Sequence, residues 1–276
     1  MTSPKPLDAG SLRGELLAPV GPYAALDVVA STGSTNADLR AAVAEGAADR
    51  TVLLAEEQTA GVGRRSRDWH SPKGAGIYVS VLLRPHGVPF SALGSLAIVA
   101  GLALMDVTGA IGVDAALKWP NDVLAGPDRA KCAGILAEAA SSDEAAVVLG
   151  IGLNVARPRV PVPAGAGGLP ATSLAELGAR TTDRTEIAML LLAAFADRES
   201  HWRDAGGDLT ESGQLADFRA HCATIGQTVK VLLPDGRTAG GVAADIDEGG
   251  HLLLDQGHGG RRTIFAGDVV HLRPAT

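Results

Sequence analysis

A chain of 276 residues that is 46% hydrophobic can bury one large core, or one large and one small core. Aromatic residues make up only 3%, so that core must be built mainly from Ala, Val, Leu and Ile. The net charge of −7 argues against broad, sequence-independent binding of nucleic acid, which needs a basic face.

In chain order, residues 1–25 are rich in Pro, Gly and Ala and give no strong pattern. Residues 34–46 read as a helix, with Ser34 or Thr35 as cap, Asp38 in the first turn and Gly46 as terminator. Residues 51–55 and 77–83 read as strands, the second with Ile77, Val79, Val81 and Leu83 on one face. Between them lies Gln58–Trp69, QTAGVGRRSRDW, with two glycines one residue apart and three arginines within four positions. Residues 91–107 look like a buried helix, and 115–119 lead into a Pro-Asn-Asp turn. Strands are expected at 134–139 and 145–155, a Pro/Gly-rich loop at 156–170 and a helix at 185–203. After residue 222 short apolar runs alternate with turn signals, which predicts about five antiparallel strands and a domain boundary near 222–226.

Cys132 and Cys222 stand far apart with no CxxC, which fits a reducing cytoplasm. The N-terminal MTSPKPLDAG lacks the apolar core of a signal peptide. The longest uncharged apolar run, residues 92–105, is too short to span a bilayer, so no membrane association is expected.

Four segments could carry chemistry. In the Gly-Arg segment, glycines permit close backbone approach and arginines present forks suited to phosphate or carboxylate. It is either an anion site or a solvated basic loop. It lacks the third glycine of a dinucleotide fingerprint, and the chain has no P-loop motif. Lys118-Trp119-Pro120-Asn121-Asp122 places a cation, an amide and a carboxylate in one turn, and Asp122 could hold Mg²⁺ against a triphosphate. The alternative is a plain Asn-Asp turn with an edge tryptophan. Lys131, ahead of Cys132-Ala133-Gly134, either points into a pocket or snorkels at the surface. Gly150-Ile151-Gly152-Leu153-Asn154 is a glycine-punctuated strand that either receives a ligand or is simply core. No zinc spacing and no G-x-S-x-G occur.

Together these segments resemble biotin protein ligases. The likeness runs in order through STGSTNADL (31–39), AEEQTAGVGRRSRDW (55–69), SPKGAGIYVSVLLRP (71–85), KWPNDVL (118–124), KCAGILAEA (131–139), GIGLNV (150–155) and AGDVVHLR (266–273). It implies an α+β fold: an N-terminal extension (1–25), a catalytic domain (26–222) with a central mixed β-sheet flanked by helices, and a small SH3-like β-barrel (223–276). It implies ATP and Mg²⁺ as cofactors and biotin as substrate. Biotin would be activated to biotinyl-5′-AMP and then passed to a lysine of a biotin carboxyl carrier domain, as in acetyl-CoA carboxylase.

By the same resemblance, Ser34, Thr35, Asn36, Gln58, Gly61, Val62, Gly63, Arg64, Lys131 and Gly134 line the biotin site. Arg65, Arg67, Trp69, Lys118, Asn121 and Asn154 serve ATP, with Trp69 near the adenine, and Asp122 serves Mg²⁺. Arg64, Arg67 and above all Lys131 are the expected catalytic cations, and the 156–170 loop would lie on the adenylate side. Two departures stand out from the family's G-R-G-R-x-G-R loop: Val62 replaces an arginine and Ser66 a glycine. Some members also carry an N-terminal winged helix that binds an operator. Only 33 residues precede Ser34, so a ligase without DNA binding is expected, as a monomer or weak homodimer. The rivals are a lipoate or octanoate protein ligase or transferase, and a non-catalytic anion-binding protein.

Overall fold

The structure is a computed structural model that describes residues 5–141, 145–157 and 168–272. Two sheets organise it. The larger has seven strands: β1 (Ala25–Val29), β2 (Thr51–Ala55), β3 (Gly76–Leu83), β4 (Ala115–Lys118), β5 (Asp122–Ala125), β6 (Ala130–Ala139) and β7 (Val147–Asn154). Their order is β1-β2-β3-β7-β6-β5-β4. Only β1 and β2 are parallel, because helix α2 (Thr35–Ala44) carries the chain across between them; every other pairing is antiparallel.

Helix α2 starts where its cap chemistry dictates. The Ser34 hydroxyl accepts a hydrogen bond from the Ala37 amide at 3.4 Å, and Gly46 follows the helix at φ +83°. Helices α3 (Leu96–Ala110) and α4 (Arg184–Asp204) pack together on the other face of the sheet. The stretch 90–110 is apolar and long enough to cross a membrane by composition, a wider window than the 92–105 run. Most of it is nevertheless buried inside the protein.

The two faces are filled unequally. One carries the main core, running from Leu12 and Ile77 through Leu149, Ile151 and Leu153 to Phe195 and Trp202. The other holds only a small cluster of Leu39, Leu53, Leu82 and Val148 beneath α2. Helix α2 reaches β2, β3 and β7, so the β6–β7 part of this face lies beside it and floors the cavity described below.

Four elements had no sequence signal strong enough to place them. Helix α1 (Ala9–Leu16) is capped by Asp8 and buries Leu12 and Leu16 in the main core, within the stretch read as patternless. Strands β1 and β5 and helix α5 (Gln214–His221) are the others. The 119–121 segment is the turn of a β4–β5 hairpin in which Lys118 pairs with Asp122, so Asp122 opens a strand.

The second sheet is SH3-like and antiparallel: β8 (Thr228–Leu232), β9 (Thr238–Ile246), β10 (Leu252–Asp255), β11 (Arg261–Ile264) and β12 (Asp268–His271). Its order, β11-β10-β9-β8-β12, is open, so the expected barrel does not close through hydrogen bonds. Trp119 joins the two sheets. It is only 2% exposed, not an edge residue, and its indole N–H donates to the Gly250 carbonyl at 2.9 Å. Its backbone N–H donates to the Thr224 hydroxyl at 3.1 Å.

Candidate functional site

A cavity of about 550 Å³ opens on the β6–β7 floor. Its shape follows from a period of two. Along β7, Gly150, Gly152 and Asn154 line the cavity, while Leu149 and Leu153 sit wholly in the main core and Ile151, also part of that core, borders the cavity. Gly152 pairs with Gly134 on β6, and the Trp69 ring lies over both. A methyl group at Gly152 would stand 2.6 Å from Trp69 Cζ2, and one at Gly134 would stand 3.0 Å from Trp69 Cζ3. Glycine is required here for close approach, as the sequence pattern suggested. Gly150 gives the same clearance to the Asn36 amide, whose Cγ would lie 2.9 Å from an added methyl.

Lys131 owes its direction to a bulge. Opposite β5, Ala133 pairs with Val123 but Lys131 pairs with Leu124, so Cys132 is the extra residue. In a regular strand, positions 131 and 134 would face opposite ways. Here a methyl at Gly134 would lie 3.2 Å from Lys131 Cε, so the lysine and the glycine share the cavity face. Cys132 and Ala133 both turn into the core, and burial pushes the Cys132 thiol up to about 12. The Lys131 ammonium lies 2.6 Å from Asp122 Oδ1 and 5.3 Å from the centre of the Trp69 ring.

Asp122 also faces Lys118 at 3.7 Å. Lys118 is 6% exposed, and burial holds its ammonium below the usual lysine range, opposed by Asp122. Asn121 donates from Nδ2 to the Ile135 carbonyl at 2.7 Å and accepts from Arg64 Nη1 at 3.4 Å. Burial likewise lowers the Arg64 guanidinium from its ordinary value, with Asp268 and Asp122 opposing.

The Gly-Arg segment is a short hairpin folded over this floor. Gln58 pairs with Ser71 and Val62 with Asp68, while the Trp69 amide donates to the Gly61 carbonyl at 2.8 Å. Gly61 tolerates no side chain, since a methyl would fall 2.5 Å from the Trp69 carbonyl oxygen. At the tip, Arg65 and Ser66 adopt φ of +57° and +56°. That left-handed backbone costs about 1–2 kcal/mol per non-glycine residue. Ser66 stands where the resemblance expects glycine, so this chain carries strain that a glycine there would avoid.

The arginines divide. Arg64 and Arg67 line the cavity. Arg65 is absent from its wall and pairs at 3.4 Å with Asp268 of β12, so the geometry does not bring this expected ATP residue to the site. Arg67 also pairs with Asp268, at 3.0 Å. Val62 is 48% exposed at the rim.

At the other end of the cavity, Gln58 Oε1 accepts from the Thr35 amide at 2.9 Å and lies 3.0 Å from the Thr35 hydroxyl, while its Nε2 donates to Ser71 at 2.9 Å. Ser80 lies 2.7 Å from Thr35 Oγ1 and 2.6 Å from Asn36 Oδ1. Asn36 Nδ2 donates to Glu138 at 2.8 Å. Ser34, Thr35, Asn36, Gln58, Val62 and Gly63 all line the wall, and Gly61 is buried behind it. Ser71, Ser80 and Glu138 had escaped notice. Ser80 had a signal: it is a small hydroxyl residue flanked by two valines in the middle of the buried run IYVSVLL.

Asn154 lines the wall as expected, but its Nδ2 donates to the Thr172 carbonyl at 3.0 Å. Lys131 is clamped by the same returning segment: its N–H donates to Pro170 O at 2.7 Å and its carbonyl accepts from Thr172 N at 2.9 Å. Most of the expected adenylate-side loop, residues 158–167, lies outside the described residues.

A metal has few protein ligands here. Among the described residues no three His, Cys, Asp or Glu side chains cluster as a cage, and the cavity wall offers Asp122 and Asp68 as its carboxylates. Mg²⁺ takes one or two carboxylates with the rest from phosphates and water, so this donor set suits a metal that arrives with a triphosphate.

The catalytic sheet defines the class. The Biotin/lipoate A/B protein ligase family matches residues 28–154, from β1 to the end of β7. The Biotin protein ligase C terminal domain matches residues 224–272. A biotin–[acetyl-CoA-carboxylase] ligase of Mycobacterium tuberculosis is 48% identical over 97% of each chain. The bifunctional ligase/repressor BirA of Escherichia coli is 34% identical over 91% of this chain and 74% of its own. A biotin protein ligase from Aquifex aeolicus in complex with biotin and ATP superposes with a TM-score of 0.74 at 25% identity, covering 91% of this chain and 100% of that one. The chain belongs to the biotin protein ligase family.

Proposed function

We propose that the protein activates biotin with ATP to biotinyl-5′-AMP and transfers biotin to a lysine of a carrier domain of a biotin-dependent carboxylase. The observation that carries this is the Lys131 ammonium, aimed by a bulge into a cavity whose floor is two facing glycines. The cavity wall carries three cations, Lys131, Arg64 and Arg67, against two carboxylates, Asp68 and Asp122, in a chain of net charge −7; Lys118 and Arg65 lie outside that wall, paired with Asp122 and Asp268.

The first step brings biotin's carboxylate to the α-phosphate of ATP, two anions that repel. Fixed cations lower that barrier because they need no reorganisation as charge redistributes. We assign Lys131 to the reacting carboxylate and α-phosphate, Arg64 to the bridge between them, and Arg67 to the phosphates beyond. Asn121 braces Arg64, and Lys118 balances Asp122. Mg²⁺ bound with ATP would supply further charge neutralisation, with Asp122 as its protein ligand. Thr35 and Gln58 form the polar end suited to the ureido ring, and Gly134 and Gly152 leave room above the sheet. The 58–71 hairpin then covers the labile anhydride and excludes water.

We assign residues 26–222 to catalysis and 223–276 to the appended domain. We infer a cytoplasmic protein that binds no nucleic acid and acts as a monomer or weak homodimer; both cysteines are free and buried, as a reducing compartment allows. The test is to incubate the protein with biotin, ATP, Mg²⁺ and a carrier domain and to weigh the carrier. The expected result is a gain of one biotinyl group. An unchanged carrier, with pyrophosphate exchange only on lipoate or octanoate, overturns the assignment.

A further inference from the structure

The C-terminal sheet contributes one buried carboxylate to the neighbourhood of the cavity. Asp268 opens β12 and its side chain is 6% exposed. A buried carboxylate needs partners, and both of those it has come from the far end of the chain. Arg65 Nη1 lies 3.4 Å from Oδ2, and Arg67 Nη2 lies 3.0 Å from Oδ1.

The two arginines face different ways. Arg67 lines the cavity, whereas Arg65 and Asp268 do not. The carboxylate therefore stands behind Arg67, outside the space a ligand would fill. The tip that carries both arginines is also strained, with φ of +57° at Arg65 and +56° at Ser66. A strained tip persists only where its surroundings hold it. The described contacts that reach from its side chains to the rest of the protein are Arg64 to Asn121 on the catalytic side and these two pairs to Asp268 on the other.

We propose that Asp268 is a positioning residue for the nucleotide: it fastens the hairpin tip to the C-terminal sheet through Arg65 and aims the Arg67 guanidinium at the phosphates. The contact acts first on the phosphate end of the cavity and reaches the biotin end, built from Thr35 and Gln58, only through Arg64 on the same tip. The proposal rests on reading the cavity as an ATP site.

The experiment compares the full-length protein with Asp268→Asn, Asp268→Glu and Arg65→Gln. In biotin-dependent pyrophosphate exchange, Asp268→Asn is expected to raise KM for ATP roughly tenfold, the size of one partly exposed charge-assisted contact, with little change in kcat. Its Kd for biotin without ATP, measured by calorimetry, rises by less than its KM for ATP, because Arg64 keeps its separate hold on Asn121, and Asp268→Glu restores most of the loss. Arg65→Gln, at a partly exposed position that cannot disturb the core, raises KM for ATP in the same direction and adds little when combined with Asp268→Asn. In ligand-free protein, tryptic cleavage after Arg64 and Arg67 is expected to accelerate in Asp268→Asn. An unchanged KM for ATP overturns the proposal. A lowered KM also overturns it, because it would mean that the carboxylate competes with phosphate for the arginines. The proteolysis needs no substrate: unchanged cleavage overturns the anchor, while a wild-type protein that exchanges no pyrophosphate with biotin overturns the reading of the cavity instead.

Discussion

Replacing Gly152 by alanine tests the floor of the cavity with a single methyl group. That methyl would stand 2.6 Å from Trp69 Cζ2, whereas carbon atoms rest at about 3.5–4.0 Å, so the ring must retreat by roughly 1 Å. Overpacking of this kind costs about 1–3 kcal/mol, or about 5- to 150-fold in an equilibrium. Where the cost appears depends on what can move. Trp69 sits on a hairpin rather than in the core, and its buried indole N–H has no hydrogen-bond partner to lose. It can lift without opening the sheet, so the penalty should fall on biotin affinity, with little loss of stability. Gly150→Ala supplies the contrast. Its methyl would lie 2.9 Å from Asn36 Cγ, and Asn36 is held at 2.6 Å by Ser80 and 2.8 Å by Glu138. That amide cannot retreat without breaking buried hydrogen bonds, so the expected cost is about 2 kcal/mol of stability, roughly 4–8 °C in Tm. Calorimetric biotin titration and thermal melts of both variants separate the two. Wild-type biotin affinity in Gly152→Ala, or a fall in its Tm equal to that of Gly150→Ala, would refute the reasoning.

Lys131→Ala should slow adenylation by about 10²–10³, the scale of a preorganised transition-state donor, in biotin-dependent pyrophosphate exchange; a loss below tenfold would remove Lys131 as the principal cation. Val62→Arg restores a cation at the exposed rim, and slower release of biotinyl-AMP is expected in a chase experiment; unchanged release would mean that position 62 plays no part in retention. His271 links stability to pH. Burial, aided by Lys118, holds its pKa down at about 4, below an ordinary 6.5. Between these values the unfolded chain takes up a proton that the folded chain refuses, so this contribution is complete above pH 6.5 and is lost as pH falls toward 4. Urea denaturation should show less stability at pH 5 than at pH 7 from this group, by at most about 2 kcal/mol because solvent screens the partly exposed ring, and His271→Asn should abolish that part of the difference. An identical pH dependence in the variant would rule His271 out.

Much of the catalytic sheet was legible because its signals are local. Ser34 caps α2 where a cap was expected, and Thr51–Ala55 forms β2 as its unbroken apolar run implied. The glycines of GIGLN mark close approach because alternate residues of a strand share a face, a rule that needs no tertiary information. Helix α1 was not legible: it has no acidic residue in its first turn, and its helical character comes from burying Leu12 and Leu16 against partners far along the chain. Asn154 is expected by resemblance to serve ATP, yet its amide holds the Thr172 carbonyl, a partner that strand patterning cannot reveal.

Local pattern carries the chemical inventory: the cations, the glycines, the Ser-Thr-Asn cap and the order of the motifs, all properties of residue type and short-range spacing. How these converge depends on long-range packing. Counting along β6 would place Lys131 and Gly134 on opposite faces; the bulge at Cys132 puts them on one, and that bulge exists only in the register between two strands. Likewise Arg65 and Arg67 look equivalent in the chain, and only the docking of β12 turns both toward Asp268 while leaving Arg67 in the cavity wall. Pairings across some 200 residues are set by how two sheets pack, and no local pattern encodes that distance.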